Sequence, residues 1–413
     1  MKIDTSVTNH AAMALLFCVA TFAAPSVVRA NNQAASPPHA TRSPKAASTN
    51  PSSARIVRET GTSTWTNLIP TGGLPPPRAA ASAVYDPISD NMTIFGGVYG
   101  QCNFGDCFND VWVLSNADGN SPATWQQLSP GGTPPSPRGS PVSVYDPGTN
   151  NMIMFGGDPN EGYCFEDAND TWVLSNANGI GPAAWTQLNP YGPLPQGRQS
   201  FSGVYDVTTN RLIIFGGVNG CAPQFNDVWV LSNANGLGGT PAWTQLAPGG
   251  PLPAPRAGHV AVYDPNSNRM IVYSGDGLAD LWVLTDANGL AVDGAPQWIQ
   301  LFPSGTGPGS RGSASAVYDS ATNSMTIFGG NGVGKGCSTS TSLCNDTWVL
   351  SNANGLGGQP RWSKVKTSGG PPSQRNTQTA VFYNPARDRM ITFAGQTAGS
   401  VPQNDTWVLT DVP

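Results

Sequence analysis

Charge is scarce in this 413-residue chain. Asp, Glu, Lys and Arg make up 11 % of it, against about 25 % in an average soluble domain. The net charge of −5 excludes the clustered cations that phosphate neutralisation on a nucleic acid requires. Histidine occurs three times, as His10, His39 and His259, which excludes a multi-histidine zinc or copper centre within one chain. Beyond the N-terminus no apolar run reaches the roughly 18 residues of a membrane span. No sustained 3.6-residue period appears, so almost no helix is expected. Glutamate is nearly absent too: past residue 60 only Glu161 and Glu166 occur.

Glycine (49) and proline (38) are abundant instead, and both punctuate strands and turns. The N-terminus is organised differently. Lys2 precedes an apolar stretch at 11–24, and Val28-Arg29-Ala30 offers small residues where a signal peptidase cuts. We read 1–30 as a signal peptide, 31–60 as a disordered Ala/Ser/Pro/Asn/Thr tether and 61–413 as the folded body. The expected location is secreted or periplasmic. Removing Cys18 leaves six cysteines, an even number that in an exported protein predicts disulfides.

The tryptophans reveal the architecture. All 12 fall into two series: Trp112, Trp172, Trp229, Trp282, Trp348, Trp407 and Trp65, Trp125, Trp185, Trp243, Trp298, Trp362. Arginines recur at 78, 138, 198, 256, 311 and 375, and tyrosines at 85, 145, 205, 263, 318 and 383. A third aromatic series runs Phe95, Phe155, Phe215, Tyr273, Phe328, Phe393. Six repeats of 55 to 64 residues follow. Each reads as four short strands: one ending at Tyr-Asp, one ending at Phe before Gly-Gly, one carrying the first Trp and one carrying the second.

The order Arg, Tyr-Asp, Phe-Gly-Gly, Asn-Asp-x-Trp, Trp-x-x-Leu resembles the kelch repeat over residues 64–411. The resemblance implies an all-β, six-bladed β-propeller of four-stranded blades, similar to the propeller of galactose-oxidase-like exported proteins. The last repeat ends at its third strand, and the missing fourth lies at the N-terminus as Trp65-Thr66-Asn67-Leu68. The two chain ends are therefore expected to close one blade, which removes two exposed strand edges.

Spacing separates scaffold from variation. Tyr to Phe is 10 residues in all six repeats, and the second Trp to the next Arg is 13. The step from Phe to the first Trp runs 17, 17, 14, 9, 20 and 14. Variation thus sits between the second and third strands. In an antiparallel blade that loop shares a face with the link to the next blade, and variable loops on a rigid frame are where function concentrates. Aromatics outside the scaffold fall there: Tyr99 and Phe104 in blade 1, Tyr163 and Phe165 in blade 2, and Tyr191 in a link. Glu161, Glu166 and Asp167 lie in the blade 2 loop, beside Asp158. These side chains either pack their own loops or contact a ligand. The candidate binding set is Tyr99, Phe104, Glu161, Tyr163, Glu166, Asp167 and Tyr191. The same loops hold the cysteines, and the expected pairs are Cys102–Cys107, Cys337–Cys344 and Cys164–Cys221.

Other chemistry finds little footing. His259 stands where kelch repeats often place a core-strand histidine, and no spacing sets it in a Ser-His-Asp triad. Copper oxidases on kelch-type propellers need two histidines and a crosslinked tyrosine, a set missing here. The run from Gly329 to Lys335 fails as a P-loop, because Gly336 stands where Ser or Thr is required. Segments such as Ser115 to Gly119 read as hairpin turns rather than calcium loops. The six arginines suit structural pairing with the Asp110 series, the alternative being an anion-attracting ring. No cofactor and no metal are expected. The reading is an exported, monomeric binding module for an extracellular protein or glycan. The alternative is a carbohydrate-active enzyme of the sialate-epimerase-like kelch type, with Glu161, Glu166 and Asp167 as acid–base groups.

Overall fold

The computed structural model describes residues 62–100, 106–159, 165–291, 294–333, 336–376 and 381–413. The signal and tether segments lie outside them. Among the described residues six antiparallel blades of four strands are present, five of them in sequential strand order. Blade 1 comprises Ser82–Asp86, Asn91–Phe95, Val111–Ser115 and Thr124–Leu128. Blade 2 comprises Val142–Asp146, Asn151–Phe155, Thr171–Ser175 and Ala184–Leu188. Blade 3 comprises Ser202–Asp206, Arg211–Phe215, Val228–Ser232 and Ala242–Leu246. Blade 4 comprises Val260–Asp264, Arg269–Tyr273, Leu281–Thr285 and Trp298–Leu301. Blade 5 comprises Ser315–Asp319, Ser324–Phe328, Thr347–Ser351 and Arg361–Lys364.

Blade 6 comprises Val381–Asn384, Arg389–Phe393 and Thr406–Thr410, and its fourth strand is Ser63–Leu68 from the other end of the chain. Trp65 faces Leu409 and Asn67 faces Trp407 in antiparallel register. The first strands of successive blades adjoin one another around the ring, with blade 6 returning to blade 1. The molecule is the closed six-bladed propeller that the repeat pattern implies.

The core lies between blades rather than in one central mass. Each of the six large apolar clusters draws on two neighbours: Met92, Ile94 and Trp112 of blade 1 pack with Ile391, Phe393 and Val408 of blade 6. One contact repeats six times. The fourth-strand Trp of each blade packs on the second-strand aromatic ring of the preceding blade: Trp65 on Phe328, Trp125 on Phe393, Trp185 on Phe95, Trp243 on Phe155, Trp298 on Phe215 and Trp362 on Tyr273. Ring centroids are 4.8 to 5.0 Å apart. Each such pair contributes about 0.5–1.5 kcal/mol beyond its buried area.

The outer edges carry a device the repeat pattern does not reveal. The link leaving each fourth strand runs beside the fourth strand of the next blade and makes a short parallel pairing with it. Thr71 pairs with Thr124 and Thr367 with Ser63. Gly131 pairs with Ala184, Tyr191 with Ala242, Gly249 with Gln297 and Ser304 with Arg361. All six edges are thereby covered, which blunts edge-to-edge association. The crossing needs glycine. Gly250 has φ +82°, and a Cβ there would stand 2.6 Å from the Trp298 carbonyl oxygen. Gly72, Gly132, Gly192, Gly305 and Gly369 repeat this approach to the other five fourth-strand tryptophan carbonyls.

The face bearing the Tyr-Asp turns is knit by amides. Asn178, Asn235, Asn288 and Asn354 each donate to the carboxylate of the preceding blade, Asp86, Asp146, Asp206 and Asp264, at 2.7–2.8 Å. Where blade 6 meets blade 1 the pair is reversed. Asn384 occupies the acid's place and donates to Asp118, which occupies the amide's place, at 3.2 Å. Asp118 is fully buried and is also bonded by Arg387 at 2.9 Å. Asp118 and Tyr85 each donate to the Asp90 carboxylate, from a backbone N–H and a phenol O–H. Burial, and then the adjoining Asp118 carboxyl, push the Asp90 carboxyl up to about 6.

Candidate functional site

The second-to-third strand loops and the inter-blade links emerge on one face, as the antiparallel order demands. That face is built on six buried arginines. Arg78 donates to both Asp110 oxygens at 2.7 and 3.0 Å and to the Gly96 carbonyl at 2.8 Å. Trp112 donates its indole N–H to the same Asp110 at 2.7 Å. The unit recurs as Arg138–Asp170–Trp172, Arg198–Asp227–Trp229, Arg256–Asp280–Trp282, Arg311–Asp346–Trp348 and Arg375–Asp405–Trp407. Burial alone would raise the Asp170, Asp280 and Asp405 carboxyls, but hydrogen bonds and charge from their arginines hold them below the ordinary carboxylate range. The anion-attracting alternative for this series is therefore overturned: each guanidinium is buried and neutralised in place.

The candidate residues separate into three groups. Tyr99, Phe165 and Tyr191 are 56 %, 59 % and 77 % exposed, and Glu166 is exposed. Tyr191 stands apart from the loop aromatics, since its link lies along the outer edge of blade 3: Trp243 N–H donates to its carbonyl at 3.2 Å. Asp167 is buried at 8 % exposure. Its N–H donates to Asn219 Oδ1 at 2.9 Å, and Gly220 N–H returns a bond to its Oδ2 at 2.9 Å. This reciprocal pair ties the blade 2 loop to the blade 3 loop. Phe104, Glu161 and Tyr163 lie outside the described residues.

Asp167 has a neighbour in Asp158, which is 1 % exposed and accepts from Gln199 Nε2 at 3.3 Å. Burial first, and then the Asp158 charge, push the Asp167 carboxyl up to about 7 against the pull of the Gly220 N–H. Gln199 and Asn219 carry no sequence signal of their own, because neutral amides in loops are common. Cys337–Cys344 is a disulfide. Cys107 and Cys221 are also disulfide-bonded, and their expected partners Cys102 and Cys164 lie outside the described residues.

Two cavities open near this scaffold. One, of about 250 Å³, lies within the ring of first strands and is lined by Ser82, Ser143, Ser202, Gly203, Ser315 and His259 among others. The second, of about 300 Å³, lies among the loops of blades 5 and 6, with Asn331, Thr341, Asn376, Gln396 and Ser400 in its wall. A serine accompanies His259: Ser202 Oγ and His259 Nε2 are 2.8 Å apart, joining blade 3 to blade 4. Among the described residues no carboxylate completes a triad. Burial, with Arg256 adding to it, drops the His259 pKa to about 3, so the ring stays neutral and serves the core as expected.

Comparison with known proteins agrees with this architecture. The family model described as the KLHDC2/KLHL20/DRC7 Kelch-repeats domain matches residues 46–275 and 238–410. Host cell factor 1 of Homo sapiens is 30 % identical over 236 residues, which is 53 % of this chain and 10 % of that protein. Host cell factor 2 of Homo sapiens is 28 % identical over 236 residues, 53 % of this chain and 27 % of that protein. The chain thus spans only a small part of these relatives. The solved structure of YjhT superposes with a TM-score of 0.54 at 16 % identity, covering 81 % of this chain and 95 % of YjhT.

Proposed function

The chain belongs to the kelch-repeat β-propeller family, and from that premise we propose that it is an exported binding module. Kelch propellers in general serve as protein-interaction modules. The finer reading is that this one holds an extracellular protein or glycan on the face of the variable loops, in blades 1 to 3. One observation carries it: Tyr99 and Phe165, large aromatics the scaffold does not use, stand more than half exposed on loops whose length changes from blade to blade. Aromatic anchors on a rigid frame supply contact area at low entropic cost. The Cys337–Cys344 disulfide supports an oxidising location, secreted or periplasmic.

The enzyme alternative has less support. Glu166 is exposed and Asp167 buried, so these two do not face a common open pocket as paired acid–base groups must. A glycan and secreted-protein array on the full chain tests the binding reading. Tyr99→Ala and Phe165→Ala should each weaken a hit about tenfold or more. Ile88→Ala, at an 84 % exposed position on the opposite face, should leave it unchanged. Loss with Ile88→Ala alone would move the site to the other face.

A further inference from the structure

Blade 2 differs from its neighbours at two facing positions in the loop mouth. In blade 1 these are Val98 and Cys107, in blade 3 Val218 and Gln224, and in blade 5 Asn331 and Leu343, each pair forming a cross-strand bridge. The matching residues in blade 2 are Asp158 and Asp167. The backbone frame is the same: Ala168 N–H donates to the Gly157 carbonyl at 2.9 Å, as Phe108 does to Gly97 and Phe225 to Gly217. A pair that is apolar or neutral in blades 1, 3 and 5 is therefore two carboxylates here, both more than nine-tenths buried.

The Arg-paired aspartates of this face show how buried carboxylates are ordinarily handled. Asp167 departs from that rule. Among the described residues it has no arginine, and its Oδ1 is buried with no hydrogen-bond partner. An ionised carboxylate taken out of water without a counter-charge is strongly disfavoured. The two acids act on each other through charge.

We propose that Asp158 and Asp167 hold a hard divalent cation, Ca²⁺ by preference, at the mouth between blades 2 and 3. The donors are all oxygen, which suits Ca²⁺ or Mg²⁺ over zinc. Ca²⁺ tolerates irregular geometry and completes six to eight ligands with water. Asp167 Oδ1 supplies the open ligand atom, and Asp167 Oδ2 keeps its bond to Gly220 N–H. A cation here would pin the Asn219-Gly220-Cys221 segment of blade 3 to the blade 2 loop. The proposal does not depend on what the face binds.

The test uses the full chain stripped with EDTA and titrated with CaCl2 or MgCl2. Wild type should show a saturable rise in Tm of about 5 °C and one equivalent of Tb³⁺ luminescence, displaced by Ca²⁺. Asp158→Asn and Asp167→Asn should abolish both, while Glu166→Gln, next door but exposed, should keep both. The Tb³⁺ readout on wild type stands even where a variant folds poorly. The absence of saturable binding by wild type overturns the proposal. So does an undiminished Ca²⁺ response in Asp167→Asn. Stabilisation of Asp167→Asn above pH 7 without any Ca²⁺ effect on wild type would identify the pair as a protonated acid couple and overturn it equally.

Discussion

Gly250→Ala probes the covering of the blade edges. Two costs add at this position. A left-handed φ of +82° costs an L-residue about 1–2 kcal/mol, offset by about 0.4–1 kcal/mol from a less mobile unfolded chain. The added Cβ also meets the Trp298 carbonyl oxygen at 2.6 Å. That oxygen is backbone of a strand held on one side by blade 4 and on the other by the link, through Gly249 N–H to Pro296 and Trp298 N–H to Gly249, both 2.9 Å. It cannot retreat without shifting the strand, an overpacking penalty of about 1–3 kcal/mol. The control is Gly370→Ala, where φ is +72° and nothing lies within 4 Å of the added Cβ. We expect a loss of about 1 kcal/mol for Gly370→Ala and about 3 kcal/mol for Gly250→Ala. In urea unfolding followed by tryptophan fluorescence the two midpoints should differ by about 1 M. Light scattering should show association in Gly250→Ala first, because the blade 4 edge is the part uncovered. Equal midpoints would refute the argument that close passage over the carbonyl fixes the link.

Three further outcomes follow from the same geometry. Asp90 binds its proton more tightly folded than unfolded, so its contribution is present below about pH 4 and lost as pH rises through about 6. Asp90→Asn, the amide of blades 2 to 5, should match wild type at pH 4 and exceed it by about 1 kcal/mol at pH 8, after allowing for partial exposure; equal stability at both pH values would count against it. Arg256→Ala leaves Asp280 without its bidentate partner and should cost about 3–5 kcal/mol, measured by thermal unfolding with Asp280→Asn added as a partial rescue. Replacing Cys337 and Cys344 together by Ala opens a seven-residue separation and should cost about 2–3 kcal/mol, measured by thermal unfolding, with reducing agent closing the gap between wild type and variant.

The ring and its closure were legible because residue types repeat at fixed steps: a Trp, a Tyr and an Arg in every unit leave little freedom in where strands start. The arginine pairing was legible from the same recurrence. The links were not, since a single-residue parallel bridge such as Gly249 with Gln297 has no alternating pattern to read. Tyr191 reads from the sequence as a link aromatic on the loop face, while its backbone lines the edge of blade 3. Asp167 was picked out by the local excess of acids, but its burial depends on Asn219 and Gly220, some fifty residues away. Such meetings are set by the radial packing of blades and leave no local trace in the sequence.

The exchanged acid and amide at Asn384 and Asp118 bear on how the molecule counts. A shortcut ring of five, skipping the last unit, would bring Asp319 of blade 5 against Asp118 of blade 1, two carboxylates where five junctions of the native ring pair a carboxylate with an amide donor. Only the final unit presents an amide to that buried acid, with Arg387 at its side. Ring size is thus spelled out in the side chains at one joint, and premature closure is answered by electrostatic repulsion rather than by the length of any linker.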